Sequence, residues 1–146
     1  YEVARGLLER TLAEPVERLA ELDVAFMRHA CRLLDIPFDP AYFSEMELEL
    51  GPIEGPGDWA LRISEALGAD EYVNPPGGEE IFDPGAFDAA GVRLTIRRFE
   101  EMEYDPVGYD YEPTLSLVDV LMWNTVDAVR SHLDDQKRRF LDDPER

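Results

Sequence analysis

The feature that most constrains this chain is a helix-length segment, residues 16–35, with apolar residues on two neighbouring stripes. At about 100° per residue, Leu19, Leu22, Phe26, Ala30 and Leu33 share one line. Ala20, Val24, Met27, Cys31 and Leu34 form a second. Glu17, Glu21, Arg28, Arg32 and Asp35 are left with the remaining arc. So wide an apolar arc predicts a long, mostly buried helix that other elements must cover.

The rest of the chain supplies those elements. Residues 2–13 read as a short amphipathic helix, and Pro15 stands near the start of the long one, where proline is tolerated. "FSEMELEL" (43–50) alternates, with Ser44, Met46, Leu48 and Leu50 on one face and Glu45, Glu47 and Glu49 on the other, which predicts a strand with one wet face. "GPIEGPG" (51–57) breaks the chain. Asp58 is placed to N-cap a helix over 59–67, with Gly68 just past its end. A short strand is predicted at 69–73, a turn at 74–80 and a helical turn or two at 83–90. "VRLTIRRF" (92–99) is the clearest strand, with Val92, Leu94 and Ile96 on one face. Residues 100–113 read as loop, followed by helices over 115–123 and 126–141. The expectation is one α/β domain, residues 1–146. It holds a small sheet of three to four short strands, packed by the long buried helix and the C-terminal helices.

Charge narrows the partners. The 14 basic and 33 acidic residues give −19, spread over both halves of the chain rather than held in a tail. Such a surface opposes binding to nucleic acid or to anionic membrane. One cysteine, Cys31, permits no internal disulfide. No apolar run reaches a membrane-spanning length and no signal-peptide pattern opens the chain, so no membrane insertion and a cytoplasmic location are expected. The chain starts at Tyr1 directly in a helical pattern, and we expect it to be a fragment or to lack its beginning.

Several groups carry chemistry. Asp119 lies inside the apolar run "PTLSLVDVLMWN" (113–124). Ser116-x-x-Asp119 fits a capping box, which would satisfy both side chains locally. The same carboxylate, projecting from a mostly buried helix, also fits a desolvated base or a ligand for a substrate hydroxyl. Gly77 and Gly78 in "NPPGGEE" would let backbone amides approach an anion, although no nucleotide-loop signature is present and Glu79 and Glu80 oppose one. A plain tight turn is the simpler expectation. Arg93, Arg97 and Arg98 are the densest basic group. They either hold a phosphate or carboxylate or pair with Glu100, Glu101 and Glu103. Tyr104, Tyr109 and Tyr111, with Asp105 and Asp110, form an aromatic–acidic loop suited to stacking on a sugar ring, and equally to covering a core. His29 fits a satisfied core histidine and Cys31 an inert thiol. Glu45, Glu47 and Glu49 fit a solvated face. No Ser/His/Asp set, HExxH or CxxC occurs, so a standard hydrolase or zinc protein is not supported; no metal site is expected, and the cofactor, if any, is left open.

Several segments, in order, resemble the WbqC-like protein family. "ALRISEALGADEYVNPPGGEEIFDPGAFDAAGVRL" (60–94) is similar to its helix, Leu-Gly-Ala-Asp-x-Tyr strand, glycine-bearing turn, Phe-containing helix and following strand. "YDPVGYDYEPTLSLVDVLMWN" (104–124) resembles its proline- and tyrosine-bearing loop and the Leu-Ser-x-x-Asp-x-Leu after it. "LAELDVAFMRHACRLLDIP" and "SEMEL" resemble its central helix and the strand that follows. The family's Gln-Pro-x-Tyr-Leu-Pro-Trp-like opening and Arg/Asn-rich segment are not here, so the chain is expected to be the C-terminal portion of such a protein. Its usual Ser-Gly-x-x-Gly turn is replaced by Asn74-Pro75-Pro76-Gly77-Gly78. The resemblance implies a cytoplasmic role in making or decorating surface polysaccharide, O-antigen included, with a small-molecule or nucleotide-sugar substrate. An acyl- or aminoacyl-type transfer to an activated sugar is our own expectation within that role. In it Gly77 and Gly78 would allow backbone approach, and Arg97 or Arg98 would hold an anionic group. Tyr109 and Tyr111 would contact the sugar, and Asp119 would orient it or accept a proton. We expect these groups to converge on one hollow. The competing expectation is a non-catalytic binding or assembly subunit, or a truncated remnant of such an enzyme.

Overall fold

A computed structural model describes residues 1–142. In chain order its elements are α1 (Glu2–Leu12), α2 (Leu19–Leu34), α3 (Asp58–Leu67), β1 (Glu71–Asn74), α4 (Pro84–Ala90), β2 (Arg93–Ile96), α5 (Leu117–Trp123) and α6 (Val126–Asp142). Short 3-10 turns occupy Phe43–Glu45 and Pro76–Ile81. The mixture of helix and parallel strand is that of an α/β protein. The chain forms two compact units. Among the described residues, one is built from residues 1–40 and 100–142, the other from residues 41–99.

The first unit is helical. Ala4 and Leu7 of α1, Ala30 and Leu34 of α2, Leu121 of α5 and Val129 of α6 make one buried cluster. Helix α2 starts three residues later than its apolar pattern suggests. Glu21, in its first turn, reaches back to accept the Glu17 and Arg18 amides at 3.0 and 3.1 Å, which fixes the start there. The second apolar stripe is less covered than its composition predicts, because Met27 is 48% exposed and Ala20 is also open. At the far end Asp35 takes the left-handed conformation (φ 58°), and the Ile36 amide donates to Cys31 O at 2.8 Å. The Arg130 guanidinium of α6 donates to Leu33 O at 2.6 Å, placing a cation on the negative end of α2. His29 is satisfied as expected, with Nε2 3.0 Å from Glu14 Oε1.

The second unit is a small β–α–β arrangement. β1 and β2 run parallel, Glu71 opposite Arg93 and Asn74 opposite Ile96. The connection between them carries α4, as a parallel crossover requires. Asp83 caps α4 by accepting the Gly85 amide at 2.9 Å, and Gly91 closes it at φ 73°. Leu61, Phe82, Phe87 and Val92 form the core, with Leu94 and Ile96 packed on it as the alternation of β2 predicts. Tyr72, Phe82 and Phe87 meet ring to ring, with centroids 5.5–6.0 Å apart.

Two expectations need correction. Residues 43–50 are not a strand. The glutamates do face water and Met46, Leu48 and Leu50 are half-buried, but the segment opens with a 3-10 turn and pairs with no strand. Alternation fixes which side chains face out, whereas a ladder also needs a neighbour for each N–H and C=O, and the sheet among the described residues has two strands. Asp58 is not an N-cap either. It is the first residue of α3, and its carboxylate turns back to accept the Glu54 and Gly55 amides at 2.7 and 2.8 Å. Those bonds, from Glu54 first and then Gly55, hold its pKa below the usual carboxylate range.

The same loop contains a close backbone approach. A Cβ at Gly57 would lie 2.0 Å from Ile81 O, and Gly57 is itself buried. Gly57→Ala should therefore force the 51–57 loop off the Ile81–Phe82 backbone, at a cost of about 2 kcal/mol, measured as a lowered urea midpoint. Gly77→Ala is the matched control, since a Cβ there meets nothing within 4 Å.

Candidate functional site

The first unit carries a hollow of about 360 Å³ between the 104–115 loop and one face of α5. The helix contributes Asp119, Met122 and Trp123, spaced i, i+3, i+4 and so on one face. The loop contributes Tyr104, Tyr109, Tyr111 and Leu115, with the carboxylates of Asp110 and Glu112. The loop is shaped locally. The Tyr109 amide donates to Pro106 O at 2.8 Å across a turn whose third residue, Gly108, has φ 86°. That conformation costs glycine little and any other residue more. The turn leaves Tyr109 76% exposed, its ring 5.9 Å from that of Trp123. At the loop's end Thr114 has φ 59°, an uncommon state for a β-branched residue, and its amide donates to Glu101 Oε2 at 3.1 Å.

Asp119 has a partner, and it is not the expected one. Ser116 is the N-cap of α5 with extended backbone, but its side chain makes no cap hydrogen bond, so the capping box does not form. Instead the Tyr104 hydroxyl donates to Asp119 Oδ2. A charge-assisted bond from a phenol is stronger than a neutral one. The carboxylate keeps its place in the first turn, where the helix dipole favours it. A carboxylate has about four acceptor positions, so one bond from Tyr104 leaves capacity for a ligand.

Burial and, after it, the hydrogen bond to Asp119 push the Tyr104 phenol up to about 12. Its ring meets Tyr111 edge-on at 5.2 Å. Burial, followed by the charges of Glu101 and Glu103, also raises Tyr111. The native state thus holds the Tyr104 proton more tightly than the unfolded chain, where the value is 10.0. Its contribution is complete below about pH 10 and is lost as pH rises through about 12. A phenolate absorbance titration should show one late step near 12 that Tyr104→Phe lacks.

The other expected residues belong to the second unit. Gly77 and Gly78 lie in the 3-10 turn Pro76–Ile81, so the glycine stretch is helical rather than a plain tight turn. Gly78 lines a separate, mainly apolar hollow of about 510 Å³ with Trp59, Ile63, Leu67, Tyr72 and Ile81. Arg98 pairs with Glu79 at 3.4 Å and Arg93 with Glu71 at 3.9 Å. The Arg97 amide donates to Asn74 O at 2.8 Å, extending the strand pairing by one bond. Of the seven residues given a site role from the sequence, Asp119, Tyr109 and Tyr111 share the hollow of the first unit, together with Tyr104 of the same tyrosine loop. Tyr104 as a partner for Asp119, and Trp123 as a wall, were missed. The i, i+3, i+4 spacing from Asp119 to Trp123 was the available signal.

Among the described residues no cluster of His, Cys, Asp and Glu is arranged to hold a metal ion, and no helix is long and apolar enough to cross a membrane. The observations define a mixed α/β protein with an aromatic, acid-lined hollow. The chain belongs to the WbqC-like protein family, whose sequence model matches residues 1–131. No curated protein and no solved structure matches it.

Proposed function

We propose that the hollow between the tyrosine loop and α5 binds the sugar ring of a glycan precursor, and that the chain serves a cytoplasmic step of surface polysaccharide synthesis. The observation that carries this is the combination of aromatic walls and an anchored carboxylate in one cavity. A pyranose offers C–H faces to aromatic rings and hydroxyls to acceptors. Tyr109 and Trp123 supply the rings, and Asp119, oriented by Tyr104, supplies the acceptor. At about 360 Å³ the hollow lies at the small-ligand end of binding pockets. Family membership supports the glycan context.

In the enzyme form of this proposal the sugar is activated, and Asp119 orients its reacting hydroxyl or takes its proton, as an acyl- or aminoacyl-type transfer needs. The competing form is a binding or assembly subunit. It is favoured by the lining itself, which among the described residues contains no histidine, cysteine, serine or lysine. In the second unit an anion-holding role for Arg98 competes with its pair to Glu79.

Titration calorimetry with monosaccharides and nucleotide sugars tests the proposal. Sugar binding should weaken about tenfold in Trp123→Ala and in Asp119→Asn. Absence of binding by every sugar to the wild-type chain would overturn it. Mass spectrometry of the bound sugar after incubation with acyl donors separates the two forms, since a binding subunit returns it unchanged.

A further inference from the structure

The hollow is selective in sign as well as in shape. Asp110, Glu112 and Asp119 line it, no arginine or lysine among the described residues does, and four aromatic side chains complete the wall. On a chain of −19 three carboxylates alone would mean little. Their combination with aromatic faces is what matters, because a ring presents its negative face to whatever packs on it. Rings and carboxylates therefore act in the same direction. They repel a phosphate or carboxylate and attract a cation. A divalent metal ion is not the cation they suit, because the carboxylates do not converge into a ligating group among the described residues. An organic ammonium group packs on aromatic faces and needs only one carboxylate beside it. An –NH3+ group brings three donors and no acceptor, which matches carboxylates that need donors.

We propose that the sugar bound in this hollow carries a free, protonated amino group, so that the ligand is an amino sugar rather than a neutral or N-acetylated one. The inference rests on the sugar reading above. The ring packs against Tyr109 and Trp123, and the ammonium pairs with Asp119 on the same helix face, while Glu112 and Asp110 add negative charge to the lining. Tyr104 stays a neutral phenol at physiological pH and adds no fourth negative charge. Any phosphate that activates the sugar stays outside the hollow.

The test compares glucosamine, glucose, N-acetylglucosamine and tetramethylammonium by titration calorimetry on the whole chain, at low and high salt. Glucosamine should bind about tenfold tighter than glucose or N-acetylglucosamine, with the advantage shrinking as salt rises. Asp119→Asn and Glu112→Gln should each cut that advantage roughly threefold, and Glu112 is the exposed position at which folding is least at risk. Equal affinity for glucosamine and glucose would overturn the amine inference and leave the sugar reading standing. Tetramethylammonium binding as tightly as glucosamine, with no binding of glucose, would overturn the sugar reading and the amino sugar with it. No binding by any of the four would overturn both.

Discussion

Phe87→Ala should destabilise the second unit by about 3–5 kcal/mol. The ring is 1% exposed, and its centroid lies 5.8 Å from that of Tyr72 and 6.0 Å from that of Phe82. Helix α4 presses it onto Leu61 and Val92, which with Phe82 are the other buried apolar residues of that cluster. So small a core has little with which to refill the space, so the cavity penalty adds to the lost transfer energy. Urea unfolding would show a lowered midpoint, and amide exchange in β1 and β2 would quicken. A midpoint equal to wild type would mean that the ring is not the keystone of this core. Phe87→Leu should lose less, because part of the volume remains.

Leu121→Ala should cost the first unit about 2–5 kcal/mol. Leu121 is 1% exposed and shares a cluster with Leu7, Ala30, Leu34 and Val129. It lies two residues from Asp119 and Trp123, and so on the opposite side of α5 from the face those two present to the hollow. The same seven-residue helix thus carries a core anchor on one side and the ligand groups on the other. Truncating the anchor should lower stability and weaken sugar binding together. Leu121→Met, which keeps most of the volume, should restore both to within about 1.5 kcal/mol of wild type. Stability lost with binding intact would separate the core side of the helix from its ligand side.

The periodic elements were legible in the chain. α1, α3, α5, α6 and β2 lie within a few residues of their patterns, because period and breaker residues are local properties. Pairing was not legible. The 43–50 segment shows its alternation in burial but has no neighbour, and nothing in "FSEMELEL" reveals that. Arg93 and Arg98 do form ion pairs, but with Glu71 and Glu79 rather than with Glu100, Glu101 or Glu103, the partners expected from the sequence. Asp119 is the sharpest case. Its local pattern fits a cap, but a phenol fifteen residues upstream takes it instead. That bond depends on the path of the 104–115 loop, which is set by the glycine turn at Gly108 and the Glu101–Thr114 bond. Local spacing placed the carboxylate and the indole on one helix face, whereas the loop geometry that makes them a hollow was beyond it.

The helical unit is assembled from two stretches of chain, with residues 41–99 intervening. During synthesis α1 and α2 leave the ribosome well before α5 and α6 exist to cover Leu7, Ala30 and Leu34. The intervening unit, contiguous in the chain, can reach its native contacts first. The nascent chain therefore passes through an interval in which an apolar helical hairpin waits uncovered. Apolar surface exposed during that interval leaves the chain open to aggregation.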